Sequence, residues 1–164
     1  MQESIQLIDE TITSVRKIAT DLRPSILDDL GLLAALEWQS GEFEKRSGTK
    51  ARFINKAGDI KVIPEVATAL FRIYQELLTN IARHANASVV TATLYIVDET
   101  LIFSIADNGV GFNLDTINKK KTLGILGIKE RTLLIGGSYE IKTRPDKGSE
   151  TIISIPLNLV KSTD

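Results

Sequence analysis

The sequence lacks cysteine and has a single histidine, His84, among 164 residues. It can therefore form neither a disulfide framework nor a thiolate metal site, which fits a reducing cytoplasm, and one histidine cannot build a multi-histidine metal centre. No run approaches the roughly 20 apolar residues of a membrane span, and Met1 is followed by acidic, amphipathic sequence. We expect a cytoplasmic chain without direct membrane contact, even if a longer parent protein is anchored upstream.

Neither sign of charge is in large excess, because 20 Lys and Arg stand against 21 Asp and Glu. The chain offers no overall basic field for nucleic acid, so we expect no nucleic-acid partner and only a local anion site. With 43% hydrophobic residues, it is long enough for one compact core and a small extension.

Two helical patterns open the chain. Apolar residues recur at alternating spacings of three and four from Ile5 to Leu22, which predicts a helix that packs on other helices. Pro24 ends this helix. A second helical pattern, from Leu32 to Phe43, ends at Ser47 and the glycine after it.

The remaining elements alternate between strand and helix patterns. Their order favours an α+β fold, a two-layer α/β sandwich with helices on one face of a mixed sheet. The predicted elements are a strand from Ala51 to Asn55, a helix from Pro64 to about Ala85, strands from Val89 to Val97 and Leu101 to Ala106, a helix from about Leu126 to Ile135, and strands from Tyr139 to Thr143 and Thr151 to Leu157.

The long helix has four polar residues along one flank: Glu76, Asn80, Arg83 and His84. Steps of three and four residues place them side by side, so we expect them to face one site. Asn80 can offer an oxygen to Mg²⁺, and the arginine and imidazole can donate to phosphate oxygens. Glu76 could orient or deprotonate an attacking group.

Two glycine-bearing segments follow. Asp107 ends an apolar strand, where its carboxylate can accept a hydrogen bond from an amino group such as that of adenine, and Gly109 and Gly111 would let the backbone approach a ligand closely. Gly124 and Gly127 are predicted to open a helix, whose free N–H groups suit phosphates.

Each of these signals is weak alone. A polar helix flank is usually a solvated face, a lone histidine is more often structural than functional, and a short Gly-x-Gly is more often only a turn. Their combination and order favour a nucleotide site.

The three motifs resemble those of the GHKL ATPase superfamily, which has the Bergerat fold. The segment from Tyr74 to Ala85 resembles its N box, Asp107 to Phe112 its first glycine box, and the segment beginning at Gly124 its second. The strand from Gly148 to Pro156 resembles the strand that lines the adenine pocket. The segment from Leu22 to Leu32 further resembles the linker of sensor histidine kinases that pair with LuxR-type response regulators.

The resemblance implies a role for each matching residue. Glu76 would be the catalytic carboxylate and Asn80 the Mg²⁺ ligand of bound ATP. The implied ATP-binding residues are Asn80, Arg83, His84, Asp107, Gly109, Gly111, Gly124, Gly127 and Thr151.

It also implies a domain plan. Residues 1–30 would be the last helix and linker of a dimerisation domain, homodimeric in the parent, and residues 31–160 the ATP-binding catalytic domain. The phospho-accepting histidine would lie upstream of residue 1, so this chain would not phosphorylate itself. The phosphoryl group would pass to a LuxR-type response regulator.

Two other functions remain open. A serine kinase of the anti-sigma type shares the motifs, although it would not need the linker from Arg23 to Gly31. A non-catalytic nucleotide-sensing module is the second, and the presence of Glu76 and Asn80 argues weakly against it.

Overall fold

The computed structural model describes residues 25–116 and 119–161 together with Thr11, and the side chains of residues 116 and 119–122 are not described. The first predicted helix, from Ile5 to Leu22, lies outside the described residues apart from Thr11, which is helical. None of the described helices is long and apolar enough to cross a membrane.

Five strands form one mixed sheet in the order β1-β2-β3-β5-β4, in which β1 and β2 are parallel and the other neighbours antiparallel. This confirms the α+β fold with a mixed sheet. The elements are α1 (Ser25–Ser47), β1 (Lys50–Asn55), α2 (Pro64–His84), β2 (Val89–Val97), β3 (Thr100–Asp107), a short 3-10 helix (Leu114–Thr116), α3 (Lys119–Leu134), β4 (Ser138–Thr143), β5 (Ser149–Pro156) and α4 (Leu157–Val160).

Helix α2 lies at the centre of the core. Pro64 occupies its first turn, where the missing N–H is not needed. Apolar residues at helical spacing then turn one face inward, including Leu70 and Ile73, each with no exposed surface. The opposite face holds the polar residues, so the sequence of α2 fixes which side points outward.

Strands β2 and β3 form an antiparallel hairpin, at the positions where the sequence predicts two consecutive strands. Asp98 and Glu99 both have positive φ, at 46° and 57°, as a two-residue type I′ turn requires. The turn pairs Val97 with Thr100. Along the pair it brings Val90 opposite Asp107, which places the end of β3 beside the start of β2.

Helix α1 begins earlier than the pattern from Leu32 indicates. It runs from Ser25 and is interrupted at Gly31, whose φ of 79° breaks the helical path. Leu27 lies in the same core as the rest of the domain. Because Gly31 adopts the left-handed conformation without a Cβ penalty, the chain can change direction there and keep Leu27 packed.

A buried hydrogen-bond chain joins α1 to α2. The Ser40 hydroxyl donates to the Leu36 carbonyl at 2.9 Å and lies 2.7 Å from the Tyr74 hydroxyl, which therefore donates to it. The Tyr74 ring also packs edge-on against Phe103 of β3. Tyr74 thus ties both α1 and the sheet to the helix that bears the polar flank.

Helix α3 contradicts one prediction. It starts at Lys119 instead of about Leu126, so Gly124 and Gly127 lie inside the helix and do not open it. Their N–H groups are not the free donors of a helix N-terminus. A glycine inside a helix costs only about 1 kcal/mol relative to alanine, and the surrounding lysine and leucine residues are good helix formers, so two glycines do not stop the helix.

Candidate functional site

An open cleft lies between α2, the end of β3 and the loop after it, α3 and strands β4 and β5. Of the predicted site residues, five line it: Asn80, His84, Asp107, Gly111 and Thr151.

Asp107 is held by two neighbours at the end of β3. One carboxylate oxygen accepts a hydrogen bond from the Gly109 backbone N–H at 2.8 Å, and the other accepts one from the Ser149 hydroxyl. The residue is only 9% exposed. Because a carboxylate can accept about four hydrogen bonds, Asp107 is oriented and still has capacity for an amino group in the cleft.

The glycines of the Asp107 loop approach the protein's own backbone. A Cβ on Gly109 would collide with the Ala85 carbonyl at the end of α2, and one on Gly111, whose φ is +60°, would collide with the Arg144 carbonyl. The Val110 N–H donates to that same Ala85 carbonyl at 2.7 Å. Gly109 therefore lies against Ala85 and does not line the cleft.

Apolar side chains form most of the cleft wall. We call them the apolar slot of the cleft, and an apolar lining with a few polar groups such as Asp107 is typical of small-molecule sites. The sequence did not distinguish these residues, because each also fits the apolar pattern of its own helix or strand. They are Leu77, Ile81, Ile105, Phe112, Ile125, Ile128 and Ile141.

The structure divides the polar flank of α2 between two depressions. Asn80 and His84 line the cleft, whereas Glu76 and Arg83 line a second, wider groove on the outward face of α2. The two pairs therefore line different depressions, although Glu76 and Asn80 both lie against Gly124 of α3. Helical geometry explains this, because residues four apart differ by about 40° around the axis and the flank lies on the ridge between the two depressions.

Gly124 of α3 lies against this ridge. A Cβ placed on it would lie 2.9 Å from Glu76 Oε1 and 3.2 Å from Asn80 Nδ2. Glu76 and Asn80 are thus brought together beneath one glycine. Gly127 does not line the cleft, and its nearest neighbour is the guanidinium of Arg131 on its own helix.

The side chains available as metal ligands limit which metal ion could bind in the cleft. Within residues 25–116 and 119–161, no group of three or more histidine, aspartate or glutamate side chains is placed to hold an ion. The half-buried Asn80 carboxamide makes no hydrogen bond to another described residue. A hard cation such as Mg²⁺ fits here only if a phosphorylated ligand and water supply its other oxygens, which is the way Mg²⁺ is usually bound.

Comparison with known proteins points to one family. A family model described as "Histidine kinase-, DNA gyrase B-, and HSP90-like ATPase" matches residues 65–159. The chain is 36% identical over 152 residues to the signal transduction histidine-protein kinase/phosphatase DegS of Brevibacillus brevis, covering 93% of this chain and 39% of that protein. It is 30% identical over 151 residues to the oxygen sensor histidine kinase NreB of Staphylococcus carnosus (strain TM300), covering 92% and 44%. The chain therefore spans less than half the length of these curated relatives.

Solved structures share the fold. The histidine kinase domain of the Erythrobacter litoralis EL346 blue-light activated histidine kinase matches with a TM-score of 0.64 and 22% identity, covering 77% of this chain and 61% of that one. Full-length ShkA, crystallised in complex with AMPPNP, matches with a TM-score of 0.65 and 18% identity, covering 77% and 29%. At these identities the likeness concerns the fold.

Proposed function

Because the chain belongs to the family of histidine kinase-, DNA gyrase B- and HSP90-like ATPases, we propose that it is the ATP-binding catalytic core of a two-component sensor histidine kinase. The observation that carries the proposal is the cleft with buried Asp107 at one end and Asn80 and His84 on α2. The two relatives named as histidine kinases, which cover more than nine-tenths of the chain, support it.

In this proposal the adenine ring occupies the apolar slot. Asp107 accepts a hydrogen bond from the adenine amino group, and Thr151, opposite Ile105 on β5, also lines the cleft. The phosphates extend toward Asn80 and His84, with Arg83 as a further donor. Mg²⁺, held by the Asn80 oxygen and the phosphates, would neutralise phosphate charge.

The proposed reaction transfers the γ-phosphoryl group to a histidine outside residues 1–164. The acceptor imidazole nitrogen bonds to the γ-phosphorus, the bond to the bridging β–γ oxygen breaks, and ADP leaves. Glu76 orients the imidazole and takes its proton. The chain's contribution is mainly positioning and charge neutralisation.

The domain plan belongs to the same proposal. Residues 1–30 would end a dimerisation domain that is homodimeric in the parent, and residues 31–160 would form the catalytic domain. The phosphoryl group would then pass to a response regulator of the LuxR type. His84 is not the acceptor in this scheme, because it lines the nucleotide cleft.

Calorimetric titration of Mg²⁺-ATP tests the nucleotide site. We expect saturable binding to the wild type and a loss of about 10- to 100-fold in affinity for Asp107→Asn, because a hydrogen bond to a charged acceptor contributes about 1.5–3 kcal/mol. Asp98→Asn makes the same chemical change at the exposed hairpin turn and should bind ATP like the wild type. Equal affinity of Asp107→Asn and the wild type would contradict the assignment.

Phosphotransfer separates the three functions. With radiolabelled ATP and a separately supplied acceptor-helix domain, a histidine kinase gives an acid-labile product, whereas a serine kinase gives an acid-stable one. Glu76→Gln should lose transfer and retain ATP binding. A nucleotide-sensing module would label no acceptor, and stable acid-labile label on the chain itself would contradict an acceptor outside residues 1–164.

A further inference from the structure

The loop that joins β4 to β5, residues 144–148, packs against the Asp107 loop from outside the cleft. None of its residues lines the nucleotide cleft. The Asp146 N–H donates to the Val110 carbonyl at 2.6 Å, and a Cβ on Gly148 would collide with the Asp107 carbonyl. The two loops therefore meet backbone to backbone, and the β4–β5 loop supports the Asp107 loop from behind.

Thr143, the last residue of β4, adds a side-chain link between these two loops. The Phe112 N–H donates to the Thr143 hydroxyl oxygen at 3.0 Å. The hydroxyl has one proton of its own to donate, and two carbonyl oxygens lie within reach, that of Phe112 at 3.3 Å and that of Gly148 at 3.2 Å. The Thr143 hydroxyl is therefore placed between the end of the Asp107 loop and both ends of the β4–β5 loop.

Phe112 connects this link to the ligand. It belongs to the apolar slot of the cleft, whereas Thr143 does not line the cleft. We propose that Thr143 is a positioning residue for ATP, because its hydroxyl holds the Phe112 backbone where the Phe112 side chain completes the slot. The inference rests on the proposed function, which supplies ATP as the ligand. Thr143 acts on ATP only through Phe112.

Loss of the hydroxyl changes the cost of binding. Without it, the Phe112 segment loses one of the bonds that fix it before ATP arrives, so part of its ordering must accompany binding. The affinity for ATP should then fall by about two- to tenfold, which is the range that one ordinary hydrogen bond covers. A hydroxyl with a purely structural role would lower stability without this effect on ATP, and that difference separates the two roles.

Substitutions at Thr143 isolate the hydroxyl. Thr143→Val removes it and keeps the branched shape, whereas Thr143→Ser keeps it. In calorimetric titration with Mg²⁺-ATP, we expect Thr143→Val to bind about two- to tenfold more weakly than the wild type, and Thr143→Ser to stay within about twofold. Thr143→Ala differs from Thr143→Ser by the hydroxyl alone. It should weaken ATP binding as the valine variant does, and it supplies the test if valine does not fit between the two carbonyls.

Thr49→Val is the matched control. Thr49 is also half-buried and its hydroxyl donates to the Ala87 carbonyl at 3.1 Å, but neither Thr49 nor Ala87 lines the nucleotide cleft. This variant should lose about as much stability as Thr143→Val in denaturant titrations and should bind ATP with wild-type affinity.

Hydrogen exchange of the Phe112 amide tests the contact itself in the ligand-free, ¹⁵N-labelled chain. Exchange should be faster in Thr143→Val and Thr143→Ala, which lack the acceptor, than in the wild type and Thr143→Ser.

The outcomes separate this inference from the proposed function. If the wild type binds ATP and both hydroxyl-free variants bind it equally well, the positioning inference is overturned and the nucleotide site stands. The same holds if Thr143→Ser is as weak as Thr143→Ala, or if Thr49→Val weakens ATP binding by the same factor as Thr143→Val. If the wild type itself does not bind ATP, the proposed function fails and the inference falls with it.

Discussion

The contact between Gly109 and the end of α2 shows how tightly the Asp107 loop is held. In Gly109→Ala the new Cβ would collide with the Ala85 carbonyl oxygen and lie 2.8 Å from the Ala85 carbonyl carbon and Cβ. These atoms belong to the backbone and its first side-chain carbon, so no rotamer change relieves the overlap. Overpacking of this kind costs about 1–3 kcal/mol.

The same substitution also threatens a hydrogen bond. If the loop moves away, the Val110 N–H loses its 2.7 Å contact with the Ala85 carbonyl, which costs about another 1 kcal/mol. We expect the free energy of unfolding to fall by about 2–4 kcal/mol in denaturant titrations followed by circular dichroism, and the melting temperature by about 5–15 °C.

Gly41→Ala is the matched control. Gly41 lies in α1, and no atom comes within 4 Å of the position that a Cβ would take there. Alanine at this position should therefore raise the free energy of unfolding by about 0.5–1 kcal/mol through helix propensity, so the two variants should shift stability in opposite directions. A Gly109→Ala protein within about 0.5 kcal/mol of the wild type, which is the scatter of ordinary surface changes, would refute the packing argument.

Two further changes probe buried hydroxyl groups. Burial raises the pKa of Tyr74 above its ordinary value of 10.0. The stability that the neutral phenol contributes is therefore fully present below pH 10 and lost as pH rises further. Tyr74→Phe should lower the free energy of unfolding at pH 7, and this free energy should fall less steeply above pH 10 than in the wild type when both are measured by chemical denaturation. If it falls equally steeply in both proteins, ionisation of Tyr74 is not the cause of the fall. Ser149→Ala removes the donor to Asp107 and should lower stability by about 1–3 kcal/mol and ATP affinity several-fold; unchanged values in denaturation and calorimetry would show that the Ser149 contact is dispensable.

The sequence predicts most of the fold because local and tertiary preferences agree there. In α2, Pro64 at the first turn and the apolar spacing specify the same helix that the core requires. In the β2–β3 hairpin, the apolar runs end at Asp98 and Glu99, and the structure turns at those residues. The end of β3 then fixes Asp107, so one member of the cleft could be located from sequence alone.

The sequence could not predict that the polar residues of α2 line two different depressions, and the reason is geometric. A helical wheel shows which residues share a side, but it does not show where neighbouring elements end. Here α1 stands beside Glu76 and Arg83, while the Asp107 loop and α3 enclose Asn80 and His84. Ser149 was missed in a similar way, because its pairing with Asp107 depends on the β3–β5 register.

Helix α2 is consequently the wall shared by both depressions. Asn80, which lines the cleft, and Glu76, which lines the wider groove, are four residues apart, about 6 Å along the axis. Gly124 lies against both side chains. Because it has no Cβ, it leaves the Glu76 carboxylate space that a Cβ would occupy. In the proposed reaction, a phosphoryl group would pass from a nucleotide beside Asn80 to a histidine beside Glu76, and Gly124 lies against both of these side chains. Gly124, which was predicted to start a helix and instead lies inside α3, is thus at the point where the phosphoryl donor and the acceptor histidine would meet in this proposal.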